Sequence, residues 1–295
     1  MSNPPAVKDP GPGTSGFPVA LVLGSILSVQ FGGALAATLI PVVGVLGSVA
    51  LRLGIAALLM LLIARPVARG HTRAAWLTAL AFGLTLAAMN STFYASLGRL
   101  PIGVAVTVEF LGPLVLAAVL SRHVWDAVAV GAAALGVLLI SQVVTKPLGD
   151  VDLIGLGLAL LAGAAWAAYI VLSRRTGAFF QGTQGLAWAM VVAAAVVVPA
   201  GLIVDGTALF APEALAKGAG IAVLSSVLPY SLELVALRRL DPRVFGILLS
   251  LEPAVAALAG FVVLNQGLTT VQAAGMALVV AASAMVTLRS SAPVD

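Results

Sequence analysis

The sequence predicts an all-α polytopic membrane protein: ten transmembrane helices, arranged as two inverted five-helix repeats around a central cavity. Three observations carry that expectation. First, 61% of the 295 residues are hydrophobic and 9% are charged, whereas a soluble domain carries about 25% charged residues. With a mean hydropathy of +1.14, the chain has more apolar surface than a water-soluble core can absorb. Second, the apolar residues fall into ten runs. Each is about 20 residues long, enough at about 1.5 Å per residue to span about 30 Å of hydrocarbon. Third, the chain repeats itself 140 positions on, where Arg99, Leu100, Val104 and Pro113 align with Arg239, Leu240, Val244 and Pro253.

In order, residues 1–16 are rich in Pro and Gly and read as a disordered tail. A signal peptide is the competing reading, with Ala34-Leu-Ala36 resembling a cleavage site, but Lys8 is cancelled by Asp9 and the repeat needs the first helix. The ten helices are expected over 17–37, 42–64, 74–96, 101–120, 125–143, 152–172, 184–204, 216–237, 243–264 and 269–288. Basic or Pro/Gly-containing breaks separate several of them, as at Arg65-Pro-Val-Ala-Arg-Gly-His-Thr-Arg73 and Lys146-Pro-Leu-Gly-Asp150. The first repeat is 17–143, the second 152–288, and 289–295 is a C-terminal tail.

The basic residues set the orientation. With the N-terminus inside, the cytoplasmic side receives Lys8, Arg65, Arg69, Arg73, Arg122, Arg174, Arg175, Arg238, Arg239, Arg243 and Arg289. The outside receives Arg99, Lys146 and Lys217, so positive charge is concentrated inside. The C-terminus then also lies in the cytoplasm. Five is odd, so the second repeat crosses in the opposite sense to the first. Inverted repeats of this kind give secondary transporters their alternating access around one central site.

Four ionisable residues fall well inside the predicted helices: Arg52, Glu109, Glu233 and Glu252. Such groups cost at least about 2.5 kcal/mol at a helix centre, so they face a cavity or a partner. Glu109 and Glu252 are expected near the middle of helices 4 and 9, as sites for a proton or a substrate ammonium. Pro113 removes the hydrogen bond the Glu109 carbonyl would accept, and Pro253 does the same for Leu249. Both prolines are therefore helix breaks. Arg52 keeps its proton and must be paired or hydrated. Glu109, Glu252, a structural ion pair and a substrate carboxylate all remain open as its partner. Glu233, just before Arg238 and Arg239, reads as an interfacial residue that snorkels. Asn90 and Tyr94 share a helix face. With Trp166, Tyr169 and Tyr230 they are candidates to line the cavity. Ala159, Gly163 and Ala167 are spaced for close helix packing.

Several function classes are excluded. There are no cysteines, hence no disulfide, thiolate metal site or thiol nucleophile. His71 and His123 lie in loops, so no metal is expected. The chain has no HExxH, P-loop or GxSxG motif, and no loop long enough for a nucleotide-binding domain. No enzyme activity, cofactor or nucleic-acid partner is expected. A channel or structural subunit is the other class that suits paired prolines and central acids.

The run Ala105-Val-Thr-Val-Glu-Phe-Leu-Gly-Pro-Leu-Val-Leu-Ala117 resembles helix 4 of the EamA branch of the drug/metabolite transporter superfamily. The run from Ala236 through Leu251-Glu252-Pro253 to Ala257 resembles its helix 9. Together they look most like the bacterial threonine/homoserine exporter group, and the resemblance covers residues 17–288. It implies a central cavity lined by helices 1, 3, 4, 6, 8 and 9. It also implies efflux of small amino acids or related metabolites across the bacterial cytoplasmic membrane, driven by a proton gradient; a monomer or homodimer is expected. Glu109 and Glu252 fall on the family's motif acids. Many members carry a glutamate after helix 9, where this chain has Gln266, which cannot titrate. Export of a purine, aromatic or cationic compound is the alternative.

Overall fold

The computed structural model describes residues 16–121, 124–141, 151–237, 245 and 248–289. Among these residues every regular element is helical. The order is α1 (Gly16–Ala64), α2 (Arg73–Leu97), α3 (Ile102–Glu109), α4 (Leu111–Ser121), α5 (Val124–Ile140), α6 (Leu153–Gly177) and α7 (Gln184–Asp205). A 3-10 turn (Gly206–Phe210), α8 (Pro212–Ala222), a π-helical turn (Val223–Val227), α9 (Leu228–Leu237), α10 (Glu252–Leu264) and α11 (Thr270–Arg289) complete it. Five stretches are long and apolar enough to cross a bilayer: Gly16–Ala64, Arg73–Leu97, Ile102–Leu120, Leu153–Gly177 and Gln184–Phe210. Ala127–Ile140, Glu252–Leu264 and Thr270–Met285 are shorter apolar helices. The outer faces of the long spans are apolar, with Ile203 84% exposed and Leu62 70%. Such a belt is unfavourable in water and at ease in lipid.

The 49 residues of α1 are two helices joined at Val43 (φ −128°, ψ 20°) and Gly44 (φ 66°, ψ 177°). The sequence places this boundary at 38–41. The helix instead runs through Pro41 and turns at Gly44, whose left-handed φ a glycine adopts without steric cost. The Asp205 carboxylate fills the space a Cβ on Gly44 would need. The two halves fold back on each other. Gly32 and Arg52 would be about 30 Å apart in one straight helix. Yet a Cβ on Gly32 would overlap the Ser225 hydroxyl, and Arg52 reaches the Ser225 carbonyl.

Two further breaks correct the expected mid-helix acids. The helix expected over 101–120 is interrupted at Phe110, so Glu109 ends α3. Farther along the chain Ser250 and Leu251 form a turn, and Glu252 opens α10. Phe110 and Ser250 are 140 positions apart, the spacing of the repeat expected from the sequence. The physical reason is the same in each: Pro113 and Pro253 withhold an amide from the turn before them.

Contacts between loops join the helices at two ends. At one end Arg99 Nε donates to Asp152 Oδ1 at 2.9 Å, and the Ile102 N–H donates to Gln266 Oε1 at 3.0 Å. The break in α1 packs there against Asp205 and Leu209. At the other end the Val67 N–H donates to Gln184 Oε1 at 3.4 Å, and the His71 ring lies 4.4 Å from that of Phe180. Asp152 also caps α6, accepting from the Gly155 N–H at 2.7 Å. The Arg99 hydrogen bond, seconded by the Gly155 amide, holds its carboxyl below the ordinary 3.8.

Candidate functional site

A cavity of about 430 Å³ lies where these helices converge. Gln30 and Arg52 reach it from α1, Asn90 from α2, Glu109 from α3, and Trp166 and Tyr169 from α6. Ser225 comes from the π turn, Glu233 from α9 and Glu252 from α10. Both expected repeats therefore contribute to one space.

Glu109 is 8% exposed and stands at the break between α3 and α4. That break packs tightly on α6. A Cβ on Gly112 would overlap the Gly163 carbonyl, and one on Gly163 would meet the Glu109 carbonyl. The carbonyl that Pro113 deprives of its amide is thus turned onto Gly163. Only a residue without a side chain lets the two backbones approach so closely. The Phe110 ring lies edge-on to Trp166 at 5.6 Å, and Tyr169 packs on Phe82 at 5.1 Å.

The carboxylates of α9 and α10 are both held from α1. Ser25 Oγ donates to Glu233 Oε1 at 2.6 Å, and Gln30 Nε2 reaches Glu252 Oε2 at 3.5 Å. Glu233 is therefore a wall residue of the cavity, not a snorkelling interfacial acid as its position near Arg238 and Arg239 suggests. The stronger determinant is lateral: α9 turns this residue toward α1 and a hydroxyl donor.

Arg52 is oriented on two sides. Its Nη1 donates to the Tyr94 hydroxyl at 3.2 Å, with the guanidinium 5.5 Å from the Tyr94 ring centroid. Its Nη2 donates to the Ser225 carbonyl at 3.4 Å. It also acts electrostatically on Glu109, while Glu252 feels the charges of both Glu233 and Glu109. Among the described residues the cavity wall carries three carboxylates and one guanidinium, and charge inside a membrane is costly unless it is paired.

Of the expected residues, the structure brings Glu109, Glu252, Arg52, Asn90, Trp166, Tyr169 and Pro113 to the cavity wall. Tyr94 does not line it. It is fully buried behind Arg52, whose orientation it fixes. Pro253 is buried within α10. The side chain of Tyr230 lies outside the described residues. Sequence reasoning missed Ser25, Gln30 and Ser225. A usable signal was present: Ser25, Ser28 and Gln30 cluster in an otherwise apolar helix, where polar groups seek partners on neighbouring helices.

The model of the EamA-like transporter family matches residues 153–288. The threonine/homoserine exporter RhtA of Salmonella typhimurium (strain SL1344) is 40% identical over 267 residues, covering 90% of each chain. The threonine/homoserine exporter RhtA of Escherichia coli (strain K12) is 40% identical over 271 residues, again 90% of each. A solved crystal structure aligns with 92% of this chain and 96% of its own at a TM-score of 0.60 and 18% identity, a likeness of fold. Similarity to the exporters runs through nearly the whole length, both acid-bearing breaks included. The chain belongs to the EamA-like transporter family.

Proposed function

We propose that the protein is a secondary active transporter that exports small amino acids of the threonine/homoserine type across the bacterial cytoplasmic membrane. The observation that carries this reading is the shared cavity, where both halves of the chain supply, among the described residues, three carboxylates and one guanidinium, with Glu109 and Glu252 at two helix breaks. Its charges suit a zwitterion, and its excess of carboxylates suits coupling to protons through Glu109 and Glu252. The 40% identity to proteins named threonine/homoserine exporters supports the substrate.

Ten crossings in two inverted repeats, 17–143 and 152–288, are part of the same proposal, with both termini in the cytoplasm. The loop contacts support it. Arg99, Asp152 and Gln266 belong to loops assigned to the outside and meet each other, as do the α1 break and Asp205. Val67, His71, Phe180 and Gln184 belong to loops assigned to the inside and likewise meet. Alternating access then exchanges closure between these two sets.

The aromatic wall of Phe93, Phe110, Trp166 and Tyr169 favours a second reading, export of an aromatic or cationic compound. Flux of radiolabelled threonine in liposomes, with and without an imposed pH gradient, separates the two. Saturable, gradient-stimulated flux inhibited by homoserine is expected. Absence of flux with folded, inserted protein removes the threonine assignment.

A further inference from the structure

We propose that Ser225 and Arg52 together form a carboxylate subsite, so that the cargo is an α-amino acid gripped by its carboxylate. The proposal rests on the exporter reading above and names the chemical group that the transport cavity selects.

The backbone of the π turn builds the subsite. The Leu228 N–H bonds the Val223 carbonyl, five residues back. The Leu224 carbonyl, which the same amide would meet in an α-helix, is released, and Ser28 Oγ donates to it at 2.6 Å. Pro229 has no N–H, so the Ser225 carbonyl also lacks its α-helical donor. Arg52 Nη2 takes that place at 3.4 Å. The guanidinium is thereby tied to the residue whose hydroxyl completes the subsite, and Tyr94 holds it from the other side at 3.2 Å. Its plane is fixed before any ligand arrives.

Ser225 lines the cavity and is 4% exposed, and its Oγ makes no hydrogen bond to any described residue. A buried hydroxyl without a partner is costly, and alanine would fill the same space. Across from it stands Gly32, where a Cβ would overlap the hydroxyl. The site is thus shaped around a polar atom that no described residue engages. A carboxylate has two acceptor oxygens in one plane. One suits the fork of Arg52, the other the O–H of Ser225. The ammonium of the same molecule then falls to the carboxylate side, beginning with Glu109, which Arg52 already reaches electrostatically. A purely cationic cargo uses neither donor.

The test pairs acids with their amino alcohols, which keep the ammonium and side chain but lack the carboxylate. Binding to the purified full-length protein in detergent is followed by thermal stabilisation, using threonine with threoninol and phenylalanine with phenylalaninol. Threonine should stabilise the wild type at concentrations at which threoninol does not. Ser225→Ala should weaken threonine binding about tenfold, as expected for one hydrogen bond to a charged group, and leave threoninol unchanged. Arg52→Gln should close the gap between acid and alcohol. Phenylalanine binding in place of threonine, with the same acid–alcohol gap and the same Ser225→Ala loss, supports the subsite and overturns the threonine/homoserine assignment. Equal binding of acid and alcohol by the wild type, or undiminished acid binding by Ser225→Ala, overturns the subsite while leaving the exporter reading intact. No stabilisation by either acid overturns both.

Discussion

Glu109 and Asp152 are both carboxylates at helix ends, and their surroundings assign them different work. Glu109 sits in the cavity with one guanidinium in electrostatic reach. Replacing it with glutamine keeps the shape and removes the charge. Glu109→Gln should therefore cut gradient-stimulated flux by about tenfold or more, the scale of a lost hydrogen bond to a charged group. Membrane insertion, read by protease resistance, should be unchanged; full coupled flux in the variant refutes its role. Asp152 lies at the α6 N-terminus, where Arg99 and then the Gly155 amide stabilise its ionised form. Its carboxyl titrates lower when folded than when unfolded. Its contribution is therefore fully present above about pH 5, given an ordinary value of 3.8, and is lost as pH falls through the lower folded value. At neutral pH Asp152→Ala should cost about 1 kcal/mol, as for an N-cap. The difference from wild type in thermal unfolding should vanish under strong acid, and a difference independent of pH contradicts the account. Gln266, which cannot titrate, has an assigned contact instead: it accepts from the first amide of α3.

At the scale of elements, the helix breaks are decided by prolines and made usable by glycines. Pro113 deprives the Glu109 carbonyl of an amide, and Gly163 gives that carbonyl somewhere to go. Pro113→Ala should restore the backbone bond and raise thermal stability by about 1 kcal/mol. It should also slow transport, because the carboxylate would no longer be presented at a helix end. Faster transport by this variant counts against a working role for the break. Gly163→Leu should do the opposite to stability, since its side chain would drive α6 off the Glu109 carbonyl. The proline positions were legible in the sequence, and so was the close packing of Gly163. The π turn was not. It reflects Pro229 acting together with Ser28 and Arg52, two side chains from distant parts of α1.

At the scale of the whole molecule, the orientation can be read with thiol chemistry, because the chain has no cysteine of its own. A Cβ at Gly267 or Gly177 meets nothing within 4 Å, so a cysteine fits at either. In intact cells a membrane-impermeant maleimide should label Gly267→Cys and spare Gly177→Cys until the membrane is opened. The reverse pattern inverts the proposed topology. The ion pair of Arg99 with Asp152 and the contact of Gln266 with Ile102 join three loops at one end of the molecule. Under the proposed alternating access, they are the contacts that would have to break to open the cavity on that side.

Hydropathy and punctuation by proline were sufficient, from the sequence alone, to read an all-helical membrane chain and to single out Glu109 and Glu252, two of the acids that line the cavity among the described residues. These signals are local: an apolar run of set length, or a missing amide, acts on the few residues beside it. Which polar residues share a space is not local. Glu233 reads as interfacial from its neighbours Arg238 and Arg239, yet Ser25, 208 positions away, brings it to the cavity wall. Tyr94 reads as cavity-lining from its position beside Asn90, yet it lies behind Arg52. In a helix that is apolar all round, no amphipathic stripe marks the inward face. The facing of these residues is decided by how the helices cross, and close glycine contacts such as Gly112 with Gly163 set those crossings.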